Sequence, residues 1–93
     1  MNVRLMHIDC SKRESVDQSF DVLVQIEIDG VPVWHTIRAR PHYLTGFDAT
    51  LLSASESLEN LFRHDQITLH RICKLVGDQL RGGTVHIPQL IAA

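Results

Sequence analysis

Apolar residues occupy every second position of the chain from residue 20 to residue 28, and the positions between them are polar except for Leu23. A period of two is typical of a strand with one buried face. Asp29 and Gly30 follow, and both residue types tolerate the positive φ angles of a tight hairpin turn. Residues 31–39 then alternate in the same way, so the pattern predicts a β-hairpin that turns at Asp29-Gly30.

A two-residue turn also determines how the two strands pair. Each core-side residue of the first strand then meets a core-side residue of the second. A slip of one residue would reverse both faces, so the agreement between the two patterns favours this register. It places His35 opposite Val24 on the apolar side, and Trp34 opposite Gln25 on the other side.

A longer period governs the chain after the hairpin. The run from Ser53 to Glu56 fits a capping box at a helix N-terminus, and no proline or glycine follows until Gly77. At about 100° per residue, most of the apolar residues that follow fall on one stripe. The stripe consists of Ala54, Leu58, Leu61, Phe62, Leu69, Ile72, Cys73, Val76 and Leu80. This pattern predicts one long helix that ends at Gly82-Gly83.

Asp65 lies inside this apolar stripe, where an unpaired carboxylate would be costly. One hypothesis is that His35, the polar residue on the core face of the sheet, bonds to Asp65 and forms a buried polar pair. The alternative is that Asp65 separates two shorter helices and caps the second. A helix of about 43 Å would exceed a strand of about 27 Å, so it must overhang, kink near Asp65 or pack on a second subunit.

The predicted elements define an α+β fold in one small domain, residues 1–93. Its two layers are an antiparallel sheet of three or four strands and one long C-terminal helix. A short helix from Arg40 to Leu44, stopped by Gly46, lies between them in sequence. A short final strand is expected over residues 84–87.

The chain resembles a small bacterial family known only as domain-of-unknown-function family 1488. The likeness runs from about Asp21 to the C-terminus. It rests on the Asp29-Gly30 turn, the strand that ends in Ile37, Ser55-Glu56 before Leu61-Phe62, Leu69, and the final Thr84-Val85-His86-Ile87. The resemblance implies a compact α+β domain of bacterial origin and no assigned activity.

Composition narrows the possible functions. The formal charge of −2 gives no bulk attraction to nucleic acid or to an anionic membrane. No run approaches the ~18 apolar residues of a membrane span, and the start of the chain carries no apolar leader. Two cysteines are too few for a disulfide framework and suit a reducing compartment. We therefore expect a cytoplasmic protein with no membrane partner.

The face of the hairpin away from the core carries an apolar and aromatic patch. Its residues are Leu23, Gln25, Trp34 and Thr36. An exposed tryptophan next to a leucine is typical of an interaction surface. The N-terminal segment could instead fold over this face, or it could add an edge strand. The patch predicts a non-catalytic protein-interaction module that self-associates as a homodimer or binds another protein, without a cofactor.

A second interpretation uses the basic side of the predicted helix. Its residues are Arg63, His70, Lys74 and Arg81, which could follow the phosphates of a nucleic acid. Glu59 lies four residues before Arg63. Asp78 lies four residues after Lys74, and pairs at this spacing neutralise much of the face. No aromatic RNA-reading signature accompanies them, so nucleic-acid binding is the alternative rather than the main prediction.

A third interpretation is a zinc site built from two H-x-x-C stretches. Its ligands would be His7, Cys10, His70 and Cys73. A set of two cysteines and two histidines suits tetrahedral zinc if the segments meet in space. His70 falls on the solvent side of the predicted helix and Cys73 borders its core side, so we expect no metal. No nucleophile stands beside the His35 and Asp65 pair, so no catalytic residue is predicted.

Overall fold

The computed structural model describes residues 2–10, 16–41 and 49–93 of the chain. In chain order it contains strands β1 (Val3–Cys10), β2 (Phe20–Ile28), β3 (Val31–Pro41) and β4 (Ala49–Ser53), helices α1 (Glu56–His64) and α2 (Gln66–Leu80), and strand β5 (Gln89–Ala92). The strands form one curled antiparallel sheet in the order β4-β3-β2-β1-β5. The α+β prediction is confirmed, but the described residues form a sheet of five strands instead of three or four.

The core lies between one face of the sheet and the two helices. Every second residue of β2 is buried, from Val22 to Ile26. Ile72 and Val76 of α2 are completely buried in the same cluster. The side chains that alternate with these strand residues point to the opposite face of the sheet, which we call the outer face.

The predicted β2–β3 hairpin is confirmed residue by residue, from the pair of residues 20 and 39 to the pair of residues 28 and 31. Asp29 and Gly30 both have positive φ, 49° and 86°, as a type I′ turn requires. Arg38 donates to Asp21 across the strands at 3.3 Å. Binary patterning and turn chemistry therefore determined the register together.

The N-terminal segment adds a strand to the sheet and does not fold over its outer face. Strand β1 lies between β2 and β5, so it is not an edge strand. Its pairing with β2 shifts between Leu5 and His7, which marks a β-bulge at Met6. The bulge turns His7 to the outer face, whereas Val3 and Leu5 remain in the core.

The prediction of one long helix is wrong, because the helix is interrupted at Asp65. This residue has non-helical backbone angles, φ −142° and ψ 88°. Its carboxylate accepts from the backbone N–H of Thr68 at 3.0 Å and from the Thr68 hydroxyl at 2.6 Å. An aspartate that bonds forward to its own backbone competes with helix continuation and favours an N-cap.

Among the described residues no helix is long and apolar enough to span a membrane.

Removing this cap has a predictable cost. We expect Asp65→Ala to lower the thermal midpoint of unfolding, because it leaves the completely buried Thr68 hydroxyl without its acceptor. The Thr68 hydroxyl and N–H bonds also lower the pKa of Asp65. A carboxyl whose pKa is lower in the folded state stabilises the protein above its unfolded-state pKa. The difference between wild type and variant, followed by circular dichroism, should therefore shrink below about pH 4. A difference that persists at acidic pH would contradict the capping role.

Two further predictions need correction or fall outside the described residues. The final strand is β5, not residues 84–87, because Pro88 has no backbone N–H and pairing with β1 starts only at Gln89. Arg40 and Pro41 end strand β3 instead of starting a short helix. The rest of that predicted helix lies outside the described residues. Strand β4 was not predicted.

Candidate interaction face of the sheet

The outer face of the sheet is not covered by either helix. The predicted patch residues Leu23, Gln25, Trp34 and Thr36 all lie on this face, on the neighbouring strands β2 and β3. Trp34 is 49 % exposed and Leu23 is 39 % exposed. A half-exposed indole next to a half-exposed leucine leaves apolar surface in contact with water.

A histidine ring extends this patch across a third strand. His7 faces Gln25 in the β1–β2 register, and Gln25 faces Trp34 in the β2–β3 register. The His7 and Trp34 rings stack with centroids 5.7 Å apart and planes 16° from parallel. The two rings therefore approach each other above Gln25, which is only partly exposed. We call His7, Leu23, Gln25, Trp34 and Thr36 the Trp34 patch.

Sequence reasoning missed His7 as a member of the Trp34 patch. A regular strand would place it on the same side as Val3 and Leu5, since the period is two. The apolar positions of β1 change phase at Met6, however, and continue at Ile8. Such a change of phase is what a bulge produces, so the signal was present in the chain.

Charged residues surround the Trp34 patch with both signs. Asp21 and Arg38 form their ion pair at one end of it. At the other end Arg4 faces Glu27 in the β1–β2 register. Asp9 faces Leu23 at the side. This rim combines acidic and basic side chains, so no strong field of one sign develops over the face.

The predicted pair of His35 and Asp65 is not formed, because each residue has a different partner. The His35 Nδ1 atom lies 2.6 Å from the Ser55 hydroxyl. Asp65 bonds to Thr68 instead. The capping box predicted from Ser53 to Glu56 is absent as well, because Ser53 ends strand β4 and the N-cap of α1 is Ser55, whose side chain makes no capping bond. The alternative interpretation of Asp65 as a helix break and cap is confirmed.

The bond between His35 and Ser55 joins the two layers of the fold. His35 is only 6 % exposed, and its burial lowers the pKa of the imidazole. No buried side-chain nitrogen or oxygen in the described part of the chain lacks a hydrogen-bond partner. A bonded serine and histidine occur in some hydrolases. Here His35 belongs to β3 and Ser55 is the N-cap residue of α1, so the bond attaches the start of α1 to β3.

Breaking this bond from one side should cost more than removing both groups. We expect Ser55→Ala to lower the free energy of unfolding by about 1–3 kcal/mol, because it leaves a buried imidazole nitrogen unsatisfied. The double variant His35→Val, Ser55→Ala should recover most of this loss, since no polar group is then orphaned. Urea unfolding of the two single variants and the double variant measures the coupling. Equal costs for Ser55→Ala alone and for the double variant would argue against the bond.

The burial of His35 also predicts a pH dependence of stability. The pKa of His35 is lower in the folded protein than in the unfolded chain, so the unfolded state takes up the proton first. Wild-type stability should therefore decrease as the pH falls below about 6.5, the unfolded value. The double variant lacks this contribution and serves as the control in the same pH series.

The four residues of the alternative zinc site lie apart from one another. His7 points to the outer face and Cys10 points toward the core. Burial, together with the Asp9 carboxylate, raises the pKa of the Cys10 thiol to about 11. No group of three metal-ligating side chains occurs among residues 2–10, 16–41 and 49–93. In α2, His70 is exposed and Cys73 is buried. The described structure therefore does not bring three of the four side chains from the two H-x-x-C stretches together.

The four basic residues of the nucleic-acid alternative do not share one helix. Arg63 belongs to α1, before the break, whereas His70 and Lys74 belong to α2 and Arg81 caps its C-terminus. Arg63 lines a groove beside β4, but Lys74 lines a recess beside the segment that leads to β5. The helix break thus divides the predicted basic face.

Comparison of the chain with protein families, with curated proteins and with solved structures gives no match. The resemblance to domain-of-unknown-function family 1488 stays a prediction.

Proposed function

We propose that the protein is a non-catalytic interaction module that forms a homodimer through the outer face of its sheet. The observation that supports this proposal is the Trp34 patch, where Trp34 and Leu23 are exposed on a face that neither α1 nor α2 covers. Tryptophan is the residue type most enriched among those that dominate binding energy at protein interfaces. Partial burial of this side chain against a second copy would remove its apolar surface from water.

The size of the outer face agrees with a modest dimer. Five strands about 4.8 Å apart, with about seven residues each at about 3.3 Å per residue, give a flat area of roughly 550 Å². Two copies that covered this face completely would bury roughly 1,100 Å², close to the lower limit for a specific interface. We therefore expect self-association in the micromolar range, because interfaces near this limit are typical of weak or transient complexes.

The charges around the Trp34 patch are compatible with a second copy as the partner. In a two-fold symmetric contact each surface meets its own kind, so a rim of one sign would repel itself. The rim here carries the bonded Asp21 and Arg38 and the opposed Arg4 and Glu27. Like charges would therefore not dominate, and the apolar centre would be surrounded by a polar rim, as in other interfaces.

Sedimentation velocity and native mass spectrometry of the untagged protein test the proposal. The expected result is a metal-free monomer that converts to a dimer as the concentration rises from the micromolar to the millimolar range. Hydrogen exchange should then be slower for the backbone amides of β2 and β3 in the concentrated dimer than in the diluted monomer. A protein that stays monomeric throughout this range would overturn the homodimer.

A further inference from the structure

A groove of about 450 Å³ lies between strand β4 and the two helices. It is on the helix side of the sheet, whereas the Trp34 patch is on the outer face. Its strand side is formed by Leu51 and Leu52, and Phe62 and Leu69 contribute apolar surface from the helices. This volume lies within the range of functional ligand sites in proteins. The groove therefore combines an apolar floor with a strand along one wall.

The strand that lines this groove is a sheet edge. Strand β4 pairs with β3 on one side, and no described strand lies on its other side. The closing pair of a two-residue hairpin is hydrogen-bonded, and the bonds alternate along an antiparallel ladder. Even-numbered residues of β3, such as Arg40, therefore bond to β4, where Arg40 faces Thr50. By this alternation the next residue, Leu51, directs its backbone N–H and C=O away from β3.

Two opposite charges stand on the helix side of the groove. Glu59 and Arg63 both line it and both are exposed. The sequence places them at i,i+4 spacing, yet no ion pair joins them in the described structure. Their separation along the helix axis is about 6 Å. Side chains two residues apart on one face of a strand are separated by about 6.6 Å, so the two spacings match for a peptide strand that runs along α1.

We propose that this groove binds an extended peptide segment of a partner protein, which pairs with Leu51 at the side of β4 that no described strand covers. The peptide backbone bonds to Leu51, and its groove-facing side chains are one basic and one acidic residue at positions i and i+2. The basic residue faces Glu59 and the acidic residue faces Arg63, while their aliphatic stems cover Phe62 and Leu69. Strand addition of this kind derives affinity from the backbone and specificity from alternate side chains.

The first test uses short synthetic peptides on a valine and threonine background, titrated into ¹⁵N-labelled wild-type protein. The Lys-x-Glu peptide should bind and shift the amide signals of Leu51 and Leu52. The same peptide with its backbone nitrogens methylated should lose binding, because strand addition needs those N–H donors. Equal binding of the methylated peptide would overturn strand addition, and no binding of any peptide would overturn the site.

A charge exchange provides the matched control. Arg63→Glu should weaken the Lys-x-Glu peptide roughly tenfold and should favour a Lys-x-Lys peptide instead, since the variant presents two acidic groups. The exposed position leaves folding intact, which the amide spectrum verifies. Preference for the same peptide before and after the exchange would overturn the charge assignment.

Self-association must be separated from peptide binding. The Arg63→Glu variant should dimerise like the wild type, because the groove and the outer face are different surfaces. Loss of the dimer in this variant would instead make the groove a contact between two copies and overturn the peptide site. Failure of the homodimer alone, with peptide binding intact, would leave the groove assignment standing.

Discussion

The Trp34→Ala variant is expected to remain monomeric at concentrations where the wild-type protein dimerises. Trp34 is 49 % exposed in a single chain and stacks with His7 at the centre of the Trp34 patch. A central tryptophan at an interface commonly contributes 2 kcal/mol or more, so its removal should weaken the dimer by about 30-fold or more. Sedimentation velocity across a concentration series measures this shift directly.

The matched control for this experiment is Ile67→Ala. Ile67 is 67 % exposed, more than Trp34, but it lies in the first turn of α2 in the helix layer. Its removal should leave the dimer unchanged if the outer face is the interface. Equal weakening by both substitutions would indicate that association depends on exposed apolar surface in general. A dimer unaffected by Trp34→Ala would contradict the proposed face.

The Ile72→Ala variant should lose about 2–5 kcal/mol of folding free energy, the largest stability effect that we predict. Ile72 is completely buried between α2 and the sheet, in the cluster that also contains Val24 and Val76. Truncation removes buried apolar area and leaves a cavity that a close-packed core fills only in part. Because small domains have only about 5–15 kcal/mol in total, urea unfolding should show a strongly reduced midpoint.

The substitutions Ile72→Ala and Ile67→Ala together also test the orientation of α2. Ile67→Ala, five residues earlier in the same helix, should change stability by no more than about 0.5 kcal/mol, because its side chain is exposed. The contrast between two identical substitutions depends only on which side of α2 faces the sheet. Similar losses for both variants would contradict the packing of Ile72 against the sheet.

The part of the fold that could be predicted is the part where two independent local signals agree. In the β2–β3 hairpin, the alternation of both strands and the Asp29-Gly30 turn demand the same register, and a slip would bury charges. The position of Trp34 on the outer face followed from that register. The patch was therefore predicted in its β2 and β3 residues.

The helix layer was predicted less well, because its signals conflict. The apolar stripe continues past Asp65, and periodicity alone joins the two helices. Asp65 also carries a capping signal, with Thr68 three residues later, which favours an interruption. The buried position of His35 was correctly predicted, whereas its partner Ser55 was not, because the axial position of the helices relative to the sheet has no local signature.

Strand β4 and the groove beside it could not be derived from the chain alone. Ala49–Ser53 is a short segment whose pairing with β3 contains a register shift, so it lacks a clean period of two. The groove also needs the break at Asp65, since Arg63 and Leu69 come from different helices. Sites formed by several elements depend on tertiary geometry that a linear pattern does not carry.

The position of Trp34 also determines which part of the protein its intrinsic fluorescence can report on. Trp34 is the only tryptophan in the chain, so selectively excited indole fluorescence arises from one side chain on the outer face. Contact with a second copy should change its emission without any attached label. The helices lie on the opposite face, so local opening of α1 or α2 would leave the emission nearly unchanged. A spectroscopist would therefore observe the sheet surface by fluorescence and the helix layer by circular dichroism, as two separate signals from one small domain.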